Sequence, residues 1–477
     1  MNIVSLAFPS LAILSVIIFY LLPNKYRVPL LAILSLAFIA SLNYLLLPYV
    51  VVFTGLNYYL GLRMSTAANK LIIYRTGLVL NVLQLILINY ASFTIDPVFQ
   101  LFNSSVQVSK LSQIIVPLGI SYYTLQGLGY LINIKMGWEK PETNFSHFLL
   151  YITFFPKFLS GPVERSNHFL PQLKEERIFD SVLVASGLRI ALFGYLKKVA
   201  IANQMAPFVV NTFTSLDTVD GSSLLLLVII LPLYIYFDFS GYTDIAIGFA
   251  KMFGIDLLPN FNRPFFAESV TAFWKRFHIS LASWFGDYIF RQTVFKRRKW
   301  GIYASMYAVF ITWVLFGIWH GAGWNFMLLG LLQALAINYE FFTRKWRYKT
   351  LKKTPVFFRR WLGRVLTYLF YGISLVFFFS SDLDSTFQFL GKMFSGGGLA
   401  LRTIITVIPL SAIILVVFVL VLELFEEDYS KLSDRLQRFW SGGGIWNRVF
   451  RWSIYSFILS ILFVTGNEIQ QFIYIQF

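Results

Sequence analysis

The stretch from residue 222 to residue 250 reads SSLLLLVIILPLYIYFDFSGYTDIAIGFA, and its only charged side chains are Asp238 and Asp244. About 20 mostly apolar residues suffice to cross a bilayer as a helix. Eleven further apolar runs occur along the chain, at 3–22, 28–47, 49–62, 72–91, 113–134, 183–208, 302–320, 324–343, 362–380, 401–425 and 450–468. They are too long and too uniformly apolar for outer-membrane strands. We therefore predict one all-α polytopic membrane domain over residues 1–477, with about 11–12 transmembrane helices.

The composition agrees with a membrane protein. Of the 477 residues, 57% are hydrophobic, 19% are aromatic and only 13% are charged. These values exclude a disordered chain and a water-soluble enzyme with a small anchor. The formal net charge of +17 is interpreted as basic residues kept in cytoplasmic loops, and no nucleic-acid partner is predicted. The sequence contains no cysteine, which excludes disulfides and a cysteine thioester.

Lysine and arginine are confined to alternate loops. The segment 344–361 carries eight of them, whereas the loops 92–109, 210–221 and 381–391 carry none. Positive residues mark the cytoplasmic side of a membrane protein. The three loops without lysine or arginine are thus predicted to be extracytoplasmic, and the N-terminus is predicted to lie on the same side.

Two polar segments do not fit simple membrane spans. Residues 147–173 contain three prolines and several charges, and residues 261–290 mix charged and aromatic side chains. Irregular backbone at membrane depth is tolerated only where protein buries it or water reaches it. Both segments are predicted to be re-entrant or interfacial helices around a central tunnel.

His320 is the strongest candidate for a chemical role. It ends the apolar run before it, in the sequence GIWHGAGWN at 317–325, and an ionisable residue at such a position is costly. The neighbouring glycines permit a close approach of backbone or substrate. Trp319 and Trp324 are predicted to wall an apolar tunnel, and a neutral imidazole there can act as a general base. The alternative is a histidine that merely ends a helix near the membrane interface.

His278 lies in the sequence AFWKRFHISLASWFGDY at 272–288. Trp274 shares a helical face with apolar neighbours, while Arg276 and Asp287 add charge at the membrane surface. One interpretation is that this segment holds the phosphates of a carrier such as coenzyme A. The other is a basic amphipathic helix at the interface.

Two intramembrane aspartates and the spacing of the histidines also bear on the function. Asp238 and Asp244 form either a proton relay or structural pairs with a tyrosine or arginine. The four histidines of the chain have no metal-ligand spacing, so no metal site is predicted.

Seven segments, taken together in this order, resemble the membrane-bound O-acyltransferase family, and in particular its alginate O-acetyltransferase branch. They include NFNRPF, FWKRFHISL and WHGAGW and lie at 116–126, 154–165, 194–202, 236–248, 260–265, 273–281 and 319–324. The best coverage is over 115–340, and the closing FIYIQF at 472–477 is also similar. The chain departs from this branch at Asn133, Asn203 and Ser380.

The resemblance implies the roles of the site residues. His320 corresponds to the catalytic histidine of the family and His278 to an auxiliary one. Residues expected to contact donor or substrate are Trp274, Arg276, Asp287, Trp319, Trp324 and Asn325. Residues expected to line or support the tunnel are Asp238, Asp244 and Arg263.

The resemblance also implies the reaction. A cytoplasmic acyl thioester, acetyl-CoA in the first interpretation, gives its acyl group to a hydroxyl of a cell-surface polysaccharide or a partner protein. No bound cofactor is expected. The chain is placed in the bacterial cytoplasmic (inner) membrane, among lipids, beside an extracytoplasmic SGNH-type esterase partner. The alternatives are transfer of a long acyl chain, D-alanyl transfer from a carrier protein to a cell-wall polymer, and a non-enzymatic transporter or flippase.

Overall fold

The computed structural model describes Ser5 and residues 7–89, 119–395, 408–429, 438 and 442–466. The predicted loop 92–109, the motif residues 116–118 and the closing segment 472–477 lie outside these residues. The described part of the chain is mostly helical and contains no strand. One isolated antiparallel bridge pairs Phe261 with Phe277.

The first half of the described chain contains ten helices. They are α1 (Ala7–Leu21), α2 (Asn24–Leu42), α3 (Leu46–Thr66), α4 (Lys70–Asn89), α5 (Ile120–Met136), α6 (Phe145–Thr153), α7 (Ser166–Gln172), α8 (Ser181–Tyr195), α9 (Asn203–Thr214) and α10 (Gly221–Met252). A π-helical segment, Leu196–Ala202, joins α8 to α9 without a break.

The second half of the described chain begins with short elements and continues with long helices. The helices are α11 (Val270–Trp274), α12 (Ile279–Phe285), α13 (Arg291–Lys296), α14 (Ile302–His320), α15 (Trp324–Leu351), α16 (Val356–Phe379), α17 (Leu383–Lys392), α18 (Leu410–Asp428) and α19 (Ile445–Thr465). A second π-helical segment, Gly286–Phe290, connects α12 to α13.

Seven helices of the described chain are long and apolar enough to cross a membrane, and they are α2, α4, α10, α14, α15, α16 and α19. The all-α multi-pass fold is therefore confirmed. Seven is fewer than the predicted 11–12 because several apolar runs form helices that are too short or too charged to count as membrane spans. Helix α5 has 17 residues, α8 has 15 and is followed by a π turn, and α18 ends in a cluster of carboxylates.

Helix α10 forms the centre of the core, and nearly all its side chains are buried. It packs closely on α8 through facing glycines. A Cβ atom at Gly194 would lie 2.7 Å from the Gly241 carbonyl oxygen, and one at Gly248 would lie 2.6 Å from the Gly187 carbonyl oxygen. Small residues at these positions let the two helix backbones approach each other, as is common in membrane proteins.

The two aspartates of α10 pair with lysines of the π-helical segment Leu196–Ala202, which we call the π turn. Asp238 accepts a hydrogen bond from Lys198, and both side chains are buried. Asp244 lies 2.7 Å from Lys197 Nζ. The ion partners are thus lysines, whereas one of the two interpretations from sequence named a tyrosine or an arginine. Breaking a buried ion pair leaves an uncompensated charge, so Asp238 fixes the packing of α10 against the π turn.

Two of the three loops that lack lysine and arginine, 210–221 and 381–391, meet at one end of the helix bundle. Gln388 Nε2 donates to Asp217 Oδ1 over 2.6 Å, and the rings of Phe213 and Phe379 stack 5.6 Å apart. We call this the base-poor end. The segment 344–361 contains the last turns of α15 and the first residues of α16, at the opposite end of the bundle, and we call that side the basic end.

Candidate active site

His278 and His320 line the same small cavity in the helix core. Its volume of about 20 Å³ is room for about one water molecule. The other lining residues are Gln333 and a set of aliphatic and aromatic residues with glycine, which are Ile235, Trp274, Phe277, Phe316, Leu329, Gly330, Tyr371, Leu375 and Phe378. The histidines come from separate motifs, and only the folded chain shows that they share a cavity.

His320 is the last residue of α14 and lies inside an aromatic cage. Its ring centroid is 4.8 Å from that of Trp319, 5.0 Å from that of Phe316 and 5.4 Å from that of Phe378. The cage is possible because α14 and α15 touch. A Cβ atom at Gly317 would lie 2.3 Å from the Phe326 carbonyl oxygen, so a larger residue there would push the helices apart.

His278 is completely surrounded by protein and adopts a left-handed backbone with φ of 49°. Such a conformation is strained for a residue other than glycine, and it persists only where the surroundings hold it. The ring of Phe239 meets the imidazole edge-on at 4.6 Å, and the ring of Tyr122 stacks on it at 6.4 Å.

A short clasp holds His278 in this conformation. The Ile279 amide donates to the Asn260 carbonyl over 3.0 Å. The Asn260 side-chain oxygen accepts hydrogen bonds from the Ser280 amide and from the Ser280 hydroxyl, at 3.2 Å and 2.5 Å. Because Asn260 and Ser280 are both buried, these bonds are not weakened by water. The clasp ties the two residues after His278 to the segment that follows α10.

A chain of hydrogen bonds orients the tryptophan of the cavity wall. Trp274 Nε1 donates to Gln333 Oε1 over 3.0 Å, and Gln333 Nε2 donates to Ser374 Oγ over 2.9 Å. The chain links α11, α15 and α16. Sequence reasoning missed Gln333 and Ser374. A glutamine and a serine inside apolar runs are unusual enough to be noticed, but nothing in the sequence shows that they form a hydrogen bond with each other.

The remaining aromatic and amide residues of the WHGAGWN motif lie in different places. Trp319 packs between the histidines and donates through Nε1 to the Ser121 carbonyl over 3.4 Å. Trp324 is 55% exposed and does not line the cavity. Asn325 is buried, and its amide donates to the carbonyls of Phe377 and Ser380 at 3.0 Å and 2.9 Å, which ties α15 to the end of α16.

The charged residues predicted for donor binding lie outside the histidine cavity. Arg276 Nη2 is 2.9 Å from Glu427 Oε1, and Arg263 is 3.4 Å from the same carboxylate. Asp287 pairs with Arg165 at 3.5 Å and with Arg291 at 2.8 Å. This last group lines a second, polar pocket of about 290 Å³, together with Asn133, Trp138, Asn167 and Tyr288.

The wall of the polar pocket leads to a half-buried carboxyl group. Tyr288 donates to Asn133 Oδ1 over 2.8 Å, Asn133 donates to Ser166 Oγ over 3.2 Å, and Ser166 donates to Glu139 over 2.5 Å. Burial raises the pKa of Glu139 to about 7, although the hydrogen bond from Ser166 acts in the opposite direction. Nearby Glu142 raises this pKa further by charge repulsion.

Replacement of Glu139 by glutamine should change how stability depends on pH. A raised pKa means that the folded protein binds the proton more tightly than the unfolded chain does. The stabilisation from this proton is complete below the ordinary pKa of about 4.5 and is lost as the pH rises through about 7. We expect the melting temperature of the wild type to fall by about 1–3 °C more than that of Glu139→Gln between pH 5.5 and pH 8.

The measurement is tryptophan fluorescence of both purified proteins during heating in detergent. All other titrating groups are common to both, so the difference between the two curves reports Glu139. Parallel curves would mean that this carboxyl group titrates as it does in water.

The geometry of the histidine cavity fits proton transfer without a metal ion. No group of three or more metal-ligating side chains occurs in the described ranges. Two imidazoles and one amide converge in apolar surroundings, where a neutral imidazole can accept a hydroxyl proton. The cavity is too small to be the open tunnel that the sequence predicted.

Comparison with known proteins identifies the family of the chain. Residues 142–381 match the profile of MBOAT, the membrane-bound O-acyltransferase family. The probable alginate O-acetylase AlgI of Azotobacter vinelandii is 30% identical over 393 residues, which is 80% of this chain and 75% of that protein. The peptidoglycan O-acetyltransferase of Helicobacter pylori is 31% identical over 405 residues, covering 78% of this chain and 74% of its own length.

A third relative transfers a different group. The teichoic acid D-alanyltransferase of Bacillus subtilis is 31% identical over 268 residues, which is 53% of this chain and 66% of that protein. The profile match contains both histidines of the cavity. The chain belongs to the membrane-bound O-acyltransferase family and is a multi-pass membrane O-acyltransferase.

Proposed function

We propose that this enzyme moves an acetyl group from acetyl-CoA to a hydroxyl group of a cell-surface polysaccharide, or of a partner protein that acts on one. Two relatives over most of the chain are named as O-acetyl-transferring proteins of alginate and peptidoglycan. The observation that carries the proposal is the shared cavity of His278 and His320, which sequence places 42 positions apart.

The proposed reaction uses His320 as the group nearest the acceptor. The acceptor oxygen attacks the thioester carbonyl carbon while its proton passes to the His320 imidazole. The new C–O bond forms, the C–S bond breaks, and the leaving thiolate takes the proton back from the imidazolium. Apolar walls keep water from competing with the acceptor. The alternative is that His320 itself carries the acyl group between donor and acceptor.

We place donor entry at the polar pocket of the basic end. Arg165 and Arg291 line this pocket, and the basic residues 296–299 follow them in the chain. The π segment and α12 run from Asp287 back to His278, which is about 14 Å of helix. A long flexible thioester carrier spans such a distance. Arg276 and Arg263 are engaged by Glu427, so they support the site from outside this path.

The assay uses purified protein in proteoliposomes with acetyl-CoA that is radiolabelled in the acetyl group. Release of free coenzyme A, together with label on an O-acetylatable glycan, is the expected result. D-alanyl transfer, which the third relative performs, predicts instead no use of acetyl-CoA and labelling only from a D-alanyl carrier protein. Donor consumption that requires an added SGNH-type esterase would support the proposed partner.

We also propose that the enzyme lies in the bacterial inner membrane with its base-poor end outside. The support is the confinement of lysine and arginine to alternate loops. Because the chain has no cysteine, single-cysteine labelling tests this directly. Thr218 and Thr350 are exposed at opposite ends.

In intact spheroplasts, an impermeant maleimide should label Thr218→Cys and should spare Thr350→Cys until the membrane is permeabilised. The reverse pattern would show that the protein has the opposite orientation in the membrane, with the donor pocket on the outside.

A further inference from the structure

The segment that carries His278 contains both left-handed residues other than glycine among the described residues. These are Arg263, with φ of 47°, and His278, with φ of 49°. Between them runs a narrow loop closed by the bridge between Phe261 and Phe277. The Asn262 amide donates to the Arg276 carbonyl over 2.9 Å, so the arginines stand at the two sides of the loop's neck. Two strained residues within one loop need external support.

The two arginines of this loop are close enough to repel each other. Arg276 Nη1 lies 3.4 Å from the Arg263 carbonyl oxygen, so its guanidinium group lies beside the Arg263 backbone. Both side chains are only about a quarter exposed, at 28% and 27%, which limits the screening of their charges by water. An anion between them would neutralise two like charges at the neck of the loop.

A single carboxylate from a distant helix supplies that anion. Glu427 lies at the end of α18, about 150 positions further along the chain. One of its oxygens is 2.9 Å from Arg276 Nη2, and the other is 3.4 Å from Arg263 Nε. Glu427 is 17% exposed, and it is the residue that contacts both sides of the neck.

The position of Glu427 is electrostatically unfavourable for its own helix. The C-terminal end of a helix is negative and favours cations. Helix α18 nevertheless ends in Glu426, Glu427 and Asp428. Asp428 binds Arg364 through two bonds of 2.7 Å and 2.8 Å. The contacts with arginines on other elements offset the unfavourable end of the helix, so this turn serves the neighbouring segments.

We propose that Glu427 is a positioning residue for the acyl transfer: it joins Arg263 to Arg276 and thereby keeps His278 at the cavity. The bridge acts through the loop and touches neither donor nor acceptor. This inference rests on the proposed role of His278 in the site.

The test compares Glu427→Gln with the neighbouring Glu426→Gln. Glutamine keeps the shape of the side chain but cannot neutralise two guanidinium groups. We expect kcat for acetyl transfer to fall about tenfold in Glu427→Gln, because a small displacement of a site residue is enough for such a loss, while KM for acetyl-CoA changes less than twofold. Glu426 is 52% exposed and touches Arg263 only at 3.6 Å, so Glu426→Gln should retain kcat within twofold.

Exchanging the charges of Glu427 and Arg276 distinguishes loss of the ion pair from simple misfolding. Glu427→Arg should lower kcat more than Glu427→Gln, because three guanidinium groups then meet. Adding Arg276→Glu to Glu427→Arg should restore at least half of the lost kcat, with membrane abundance and melting temperature measured for each variant. A purely structural role would lower abundance and leave the kcat of the surviving protein unchanged.

Two outcomes would overturn the inference. If Glu427→Gln lowers KM for acetyl-CoA, Glu427 instead shields a donor site at the two arginines. If Glu427→Gln is neutral while His278→Gly is inactive, the bridge has no role although the proposed function stands. Full activity of His278→Gly would remove the premise of the inference and leave the chemistry to His320. A wild-type protein that does not consume acetyl-CoA would remove the proposed function itself, whatever Glu427 does.

Discussion

His320→Ala should lose acyl transfer by about 10²–10⁴-fold, the range typical for loss of a general base. The imidazole lies where α14 ends and where three aromatic rings form a cage around it. The rings contribute no side-chain group that can accept a proton at neutral pH. Truncation at a cavity wall leaves the helix contacts at Gly317 intact, so the protein should still insert and fold.

The measurement is acetylation of the glycan acceptor at matched enzyme amounts, with His147→Ala as the histidine control. His147 lies in α6, outside the cavity. A normal level of His320→Ala protein with near wild-type transfer would exclude His320 as base. If an acyl group can be trapped on His320 in the wild type by rapid acid quenching, the residue is a carrier.

His278→Gly should lower kcat about 10–100-fold at normal abundance, less than the loss at His320. Glycine is the appropriate deletion here because φ at this position is 49°, where glycine is unstrained. His278→Ala removes the same imidazole but adds strain of about 1–2 kcal/mol, since a Cβ atom is disfavoured in the left-handed region. The difference in melting temperature between the two variants therefore reports the backbone strain, offset by the larger entropy that glycine loses on folding.

Asparagine offers a third variant at this position. It tolerates the left-handed region and keeps a polar side chain. If His278→Asn retains most of the activity while His278→Gly does not, His278 acts by hydrogen bonding. Equal loss in both would show that the imidazole itself is required. Wild-type kcat in His278→Gly would restrict the chemistry to His320.

The sequence predicted the two histidines of the site but not the groups that position them. Their motifs are local, so seven short segments in order were enough to identify the family. Gln333 meets Trp274 across 59 positions, and Glu427 meets Arg276 across 151 positions. Such pairs depend on how helices pack, and no local pattern specifies that. The lysine partners of Asp238 and Asp244 escaped prediction for the same reason.

The fold class followed directly from the apolar runs, whereas side-chain direction did not. Trp324 and Trp319 share one motif, and tunnel walls were expected from both. The chain turns between them at Gly321 and Gly323, and Trp324 becomes the first residue of the next helix. There it faces outward, at 55% exposure. Because one helix ends and the next begins within this motif, the two tryptophan side chains point in directions that the spacing along a single helix would not predict.

The histidine cavity, with room for about one water molecule, has a kinetic consequence. In the proposed reaction, the acetyl thioester and the acceptor hydroxyl do not fit into it together, so each turnover would include a separation of the aromatic walls. The rate of this breathing motion sets a ceiling on kcat that is independent of the chemical step. Between turnovers the closed walls would keep water away from the proposed acetyl donor, so an idle enzyme would not hydrolyse it.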